Sequence, residues 1–197
     1  MATRSERYCM VVLRMREASF IASGSPIGPI SVDVCAGALV ARIAASAREA
    51  SITALLAAGI VKAGSGIVLI EEYDPRVQPA HCKRAVGFVP HAPLSISEAE
   101  FEWYVKYRAA LWNVDPVRAL SHAKLTLERL EGVHEAFAYP IAAALISSPK
   151  LLVLDRPQAE YAERIVAAAG PRAIFSTHCG VAAANAFSLP SLGAALL

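Results

Sequence analysis

The residues in this chain best suited to chemistry stand at the ends of short apolar runs. Leu151-Leu152-Val153-Leu154 is a run of four buried-type residues that closes on Asp155. A carboxylate at the carboxyl end of a central strand sits where open α/β sheets bind their ligands. The same aspartate could instead pair with Arg156 or cap the next helix, and position by itself does not choose between these. A second run, Ala173-Ile174-Phe175, leads through Ser176 and Thr177 to His178. His81-Cys82 and His178-Cys179 each set an imidazole beside a thiol. Neighbours on a strand point to opposite faces, however, so neither pair is expected to bind zinc and no metal site is expected.

Positioning these groups requires strands and crossovers. β-branched runs at Met10 to Leu13, Ile30 to Val34, Leu39 to Ile43, Ile67 to Ile70, Val86 to Val89, Leu151 to Leu154 and Ala173 to Phe175 read as strands. Helical stretches from Ala50 to Ala58, closed by Gly59, and at Ala138 to Ser147, Ala159 to Ala169 and Val181 to Ala186 alternate with them. Such alternation predicts a parallel sheet with helical crossovers, mixed where the early strands join it. Between Ser95 and about Leu130 the period is helical throughout. It opens with Ser97 and Glu100 in capping-box spacing and restarts at Asp115-Pro116, a cap followed by an N1 proline. The expectation is a single α/β domain over 1–197 with a helical subdomain embedded at about 95–137.

Composition narrows the function classes. With 197 residues, 55% hydrophobic and only 18% charged, the chain has ample core for one globular domain and is not a disordered polyampholyte. A net charge of +2 with scattered basic residues argues against nucleic acid as a partner. The mean hydropathy of +0.43 raises the question of a membrane. Yet the uncharged stretch from Ala173 onward is broken by Ser176, Thr177, His178, Gly180, Asn185 and Pro190, and does not read as a span. Arginines and glutamates interrupt the first apolar run, so no secretory leader is expected and a cytoplasmic location is. Four cysteines far apart, without a C-x-x-C pair, are expected to be reduced thiols.

Five ordered segments together resemble the ATP-binding-cassette (ABC) ATPase family, the nucleotide-binding subunits of ABC transporters. Gly37-Ala38-Leu39-Val40-Ala41 is similar to the strand entering the Walker A loop, and Gly64-Ser65-Gly66-Ile67-Val68 to the turn after the Walker A helix. Val86-Gly87-Phe88-Val89-Pro90 resembles the strand before the Q-loop. The stretch from Ala142 to Pro157 resembles the segment running from the signature helix through Walker B, and Phe175-Ser176-Thr177-His178 the switch-histidine strand. The resemblance implies a P-loop NTPase-like α/β core. It makes Asp155 the Walker B aspartate, His178 the sensor of the terminal phosphate, Ser51 the magnesium-binding hydroxyl, His91 the occupant of the Q-loop glutamine position and Phe20 an adenine-stacking aromatic. For His178 the reading preferred from the residues is a strand-end histidine bonded to a backbone carbonyl.

The departures from the family pattern all run one way. The loop reads Ala44-Ala45-Ser46-Ala47-Arg48-Glu49-Ala50-Ser51, with alanine at the lysine position and Glu49 where a glycine precedes it. Phosphate cradles need backbone N–H groups and a lysine, and a carboxylate there repels the anion. Arg156 replaces the catalytic glutamate and cannot act as a base; it is expected to pair with Asp155. The signature position holds Glu131-Gly132-Val133-His134-Glu135, and the D-loop after Pro157 is shortened. These departures predict that Ala44 to Ser51 is partly helical and blocks the pocket. The implied function is a degenerate cassette subunit, a pseudo-ATPase needing no cofactor. It would be peripheral at the cytoplasmic face of a membrane, a structural or regulatory partner of a polytopic permease or of an active cassette, in a hetero-oligomer rather than a homodimer. Phe101, Trp103, Tyr104, Tyr107 and Trp112, in the subdomain where the family docks its membrane partner, are the interface candidates, some of them expected to be core instead. Two alternatives stay open: a genuine slow ATPase that binds Mg-ATP through Asp155, Ser51 and His178, and an assembly module of another membrane complex.

Overall fold

The computed structural model describes residues 9–22, 24–187 and 194–196. Its first element is a long hairpin. Strand β1 (Val11–Ala22) turns at Gly24, where φ is +80°, into β2 (Ser25–Cys35). In β2 the buried positions Ile30, Val32 and Val34 alternate with exposed ones, the mark of a sheet wet on one face. On that wet face Arg16 pairs with Asp33 across the hairpin, and Arg14 lies 3.3 Å from Glu72. Both strands extend well beyond their apolar runs, with polar side chains such as Arg14, Arg16, Ser31 and Asp33 on the outward face. The antiparallel pairing also brings Cys9 and Cys35 together in a disulfide. This corrects the expectation of four reduced thiols, since separation along the chain carries no information about which strands pair. Cys82 and Cys179 remain free.

The remaining strands are β3 (Leu39–Ala44), β4 (Ser65–Ile70), β5 (Val86–Val89), β6 (Leu151–Asp155), β7 (Ala173–Cys179) and β8 (Ala194–Leu196). They divide between two sheets rather than joining one mixed sheet: an antiparallel β2-β1-β4, and a parallel β5-β6-β7-β3-β8. All five residues of β6 are buried, as a central strand covered on both faces requires. Helix α1 (Ala47–Ala57) lies between the sheets, in a core that includes Val153, Phe175, Leu13 and Ile70. Helix α2 (Pro79–Ala85) follows. Its seven residues carry too few apolar positions for a visible period, and no helix is expected there from the sequence.

Two helices form the arm, α3 (Glu98–Leu111) and the amphipathic α4 (Pro116–Arg129). The capping box is present: Ser97 N–H donates to Glu100 at 2.8 Å and Glu100 N–H to Ser97 Oγ at 3.3 Å. Asp115 caps α4 by accepting from Arg118 N–H at 2.8 Å. Behind them runs α5 (Glu135–Leu145), whose eight buried residues face two ways. Tyr139, Ala142 and Ala143 join Phe101, Val105 and Ala123 in the arm's own core, while Ala138, Ile141 and Leu145 pack on the sheet with Leu152 and Leu154. The contact of α5 with the sheet is tight enough to need a glycine: a Cβ at Gly87 would lie 2.7 Å from the carbonyl oxygen of Ala144. The chain then completes the parallel sheet through a 3-10 turn at Ala159–Tyr161, α6 (Ala162–Ala169) and α7 (Val181–Ala186).

Candidate functional site

Helix α1 starts after only two loop residues. Ser46 is its N-cap and accepts from Glu49 N–H at 3.1 Å, so Ala47 to Ser51 are already helical, as the missing glycines predict. Glu49, in the first turn, folds back on the chain. One carboxylate oxygen accepts the Ala45 N–H at 3.0 Å and the other accepts from Arg42 Nη2 at 3.1 Å. An anion thus already sits against the helix start, where the positive end of the helix dipole favours one. A cleft of about 300 Å³ adjoins this turn, bounded by Pro26, Ile27, Ser46, Arg48 and Glu49.

Two parallel strands deliver the second half of the site. β6 ends at Asp155, and the next residue, Arg156, takes a left-handed conformation (φ +48°) with its N–H donating to Thr177 O at 2.9 Å. That turn swings its guanidinium back toward the strand end. Nε donates to Asp155 Oδ1 at 3.2 Å and Nη2 to Ser51 Oγ at 3.0 Å, while the Ser51 hydroxyl donates to Asp155 Oδ2 at 2.8 Å. Three side chains close a ring, and the expected Asp155–Arg156 pair is present. Asp155 is 8% exposed and Arg156 24%, so the pair is only lightly screened by water. His91 joins from the far side, its Nδ1 donating to the Arg156 carbonyl at 3.1 Å.

His178 does not join this cluster. Asp155 and Thr177 are register partners on the face that carries Val153, Phe175 and α1. His178 falls one residue later, on the face of Ile174 and Ser176. There it is 1% exposed, its Nε2 hydrogen-bonded to Ser176 Oγ at 2.9 Å and its ring 5.1 Å from that of Phe187. Its partner is a side-chain hydroxyl, which corrects the expected backbone carbonyl. Burial pushes its pKa down to about 4, so the imidazole is neutral at pH 7. Phe20 is also apart, half-buried against the hairpin core and paired in register with Ile27. Sequence reasoning missed Glu49's return to Ala45 N–H, although Ser46 and Glu49 stand in capping-box spacing.

The aromatic residues of the arm divide into buried and exposed sets. Phe101, 2% exposed and stacked on Tyr139 at 4.2 Å, is core and leaves the interface set because its contacts are already made. Tyr104 is half-buried, with Arg108 Nη1 donating to its hydroxyl at 3.1 Å, and Trp112 is half-buried too. Trp103 and Tyr107 face solvent, 66% and 49% exposed, with their rings stacked at 5.5 Å. His81 and Cys82 lie on helix α2 and not on a strand. Among the described residues, no group of three His, Cys, Asp or Glu side chains is placed to hold a metal ion, and no helix is long and apolar enough to cross a membrane.

No family model and no curated protein matches the sequence. Solved structures do match the fold. An ATP-binding subunit of an ABC transporter superposes with a TM-score of 0.72 at 16% identity, covering 89% of this chain and 82% of that one. CbiO1 from Clostridium perfringens, part of the ABC transporter complex cbiONQ, gives 0.63 at 18% identity, covering 85% and 78%. The dimeric bacterial ABC transporter cassette MJ0796 gives 0.69 at 13%, covering 88% and 90%. At such identities the likeness establishes architecture: this chain has the α/β fold, with its antiparallel and parallel sheets, of the ABC transporter ATP-binding cassettes.

Proposed function

We propose that this chain is a degenerate ATP-binding-cassette subunit, a pseudo-ATPase that contributes architecture or regulation to a membrane ABC transporter-type complex. The observation that carries this is the ring of Ser51, Asp155 and Arg156. By the resemblance, Ser51 and Asp155 are the oxygens that would hold magnesium, and the Arg156 guanidinium already bridges them as a fixed cation. Glu49 supplies the matching fixed anion at the start of α1, where phosphate would approach backbone N–H groups. The position of the phosphate-binding lysine is Ala50, fully buried. These residues do not fit Mg-ATP, and no hydrolytic step follows from them.

CbiO1 belongs to a multi-subunit transporter complex and the MJ0796 cassette is dimeric. On that likeness the partners we propose are a polytopic permease and a second, intact cassette, in a hetero-oligomer at the cytoplasmic face of a membrane. Trp103 and Tyr107 are the exposed aromatics available for the contact. Isothermal titration with Mg-ATP tests the site: the expected result is no binding heat. Micromolar binding that Asp155→Ala abolishes would overturn the reading in favour of a slow ATPase. Co-purification from the native membrane tests the partnership: a polytopic permease supports it, and other membrane components alone would favour an assembly module.

A further inference from the structure

At the other end of β6, away from Asp155, a cleft of about 560 Å³ opens between the α3–α4 turn, α4 and the end of α5. Its walls include Arg118, Ser121, His122, Leu125, Ile146 and Ser148. Helical spacing lines up Arg118, His122, Leu125 and Arg129 along one face of α4, three or four residues apart. Arg172 approaches from the strand side, its Nε donating at 3.0 Å to the carbonyl of Pro149, the residue after Ser148. It is close enough, with Arg129 and Arg118, to hold the His122 imidazole below its ordinary pKa, although burial is the larger cause. His122 Nδ1 is buried without a hydrogen-bond partner.

None of the three arginines forms an ion pair among the described residues, and neither do Arg48, Arg84, Arg108 and Arg164. The fold accounts for part of this. Arg172 satisfies the carbonyls of Pro149 and Ala169, and Arg129 lies in the last turn of α4, the end of the helix dipole that favours cations. Arg118 has no such reason. It stands in the first turn of α4, the positive end, and Asp115 accepts its backbone N–H without pairing with its guanidinium. The unpaired Arg118 lines the cleft together with His122, whose Nδ1 has no partner, and the arginine's fork geometry suits the oxygens of phosphate. Val114, Leu125 and Ile146 add an apolar floor to the cleft.

We propose that this cleft binds an organic phosphate, with the phosphate held by Arg118 beside His122, and the apolar portion of the ligand on Leu125 and Ile146. The site is independent of the cassette reading, since it uses none of Ser51, Asp155 or Arg156. The experiment titrates the full chain with phenyl phosphate, followed by calorimetry and by the NMR shifts of the His122 ring. A parallel arm measures co-sedimentation with vesicles of equal parts phosphatidylcholine and phosphatidic acid. Saturable binding of phenyl phosphate that shifts His122, weakened about tenfold or more in Arg118→Ala, is the expected result. Binding to the vesicles alone, lost in the same variant, supports the site and assigns the phosphate to a lipid headgroup. Arg118 is exposed, so the variant folds, which circular dichroism checks. No binding in either arm, or binding unchanged in the variant, overturns the proposal.

Discussion

The two ends of strand β6 carry charge in opposite ways. At its carboxyl end the carboxylates meet partners: Asp155 pairs with Arg156, and Glu49 with Arg42 and a backbone N–H. At its amino end Arg118, Arg129 and Arg172 lie near His122 with no carboxylate paired to them among the described residues. A site whose charges cancel internally has little electrostatic demand for a ligand, whereas one whose charges are left over has a strong one.

The histidines sharpen this contrast first, and with the largest effect. His178 is held near pKa 4 by burial, against 6.5 in the unfolded chain, so between those values the unfolded state takes up a proton that the fold excludes. Stability should fall as pH drops from about 6.5 to about 4, by up to about 3 kcal/mol, and urea midpoints across that range should lose this slope in His178→Leu. Next, Asp155→Ala leaves the half-buried Arg156 guanidinium without its carboxylate, bonded only to Ser51. It should cost about 2 kcal/mol in urea unfolding, with much of that recovered when Arg156→Ala is added. Removing the cap with Ser46→Ala frees the Glu49 N–H and should cost about 1 kcal/mol by the same measurement. The smallest effect belongs to the other end: Arg118→Ala should change stability by no more than about 0.5 kcal/mol, and in the stabilising direction, because it removes a cation from the positive end of the α4 dipole. If Arg118→Ala destabilised the chain as much as Asp155→Ala, the two ends would not differ as described.

Much of this arrangement was legible in the sequence, for local reasons. β5 occupies the same four residues as its apolar run, and the Ser97–Glu100 box opens α3, because each signal is complete within a few residues. The Asp155–Arg156 pair joins adjacent residues and was readable too. The Ser51–Asp155 bond spans 104 positions and depended on an outside template, the family resemblance, to bring the two together. The Cys9–Cys35 link depended on strand pairing, which no pattern along the chain encodes. His178 was placed on the correct strand, but its partner hydroxyl two residues back lies on the same face only because side chains alternate. The cleft beside α4 went unread because its arginines come from two distant segments and no motif joins them.

One hydrogen atom governs how the arm is mounted. Since nothing larger than glycine fits at position 87 beneath the Ala144 carbonyl, even Gly87→Ala would act as a wedge at the hinge line where α5 meets the sheet. Tilting α5 there would be magnified along α3 and α4, swinging the exposed Trp103 and Tyr107 through a wider arc than the displacement that caused it. The aim of that aromatic pair is thus set at its pivot, by the bare backbone of β5.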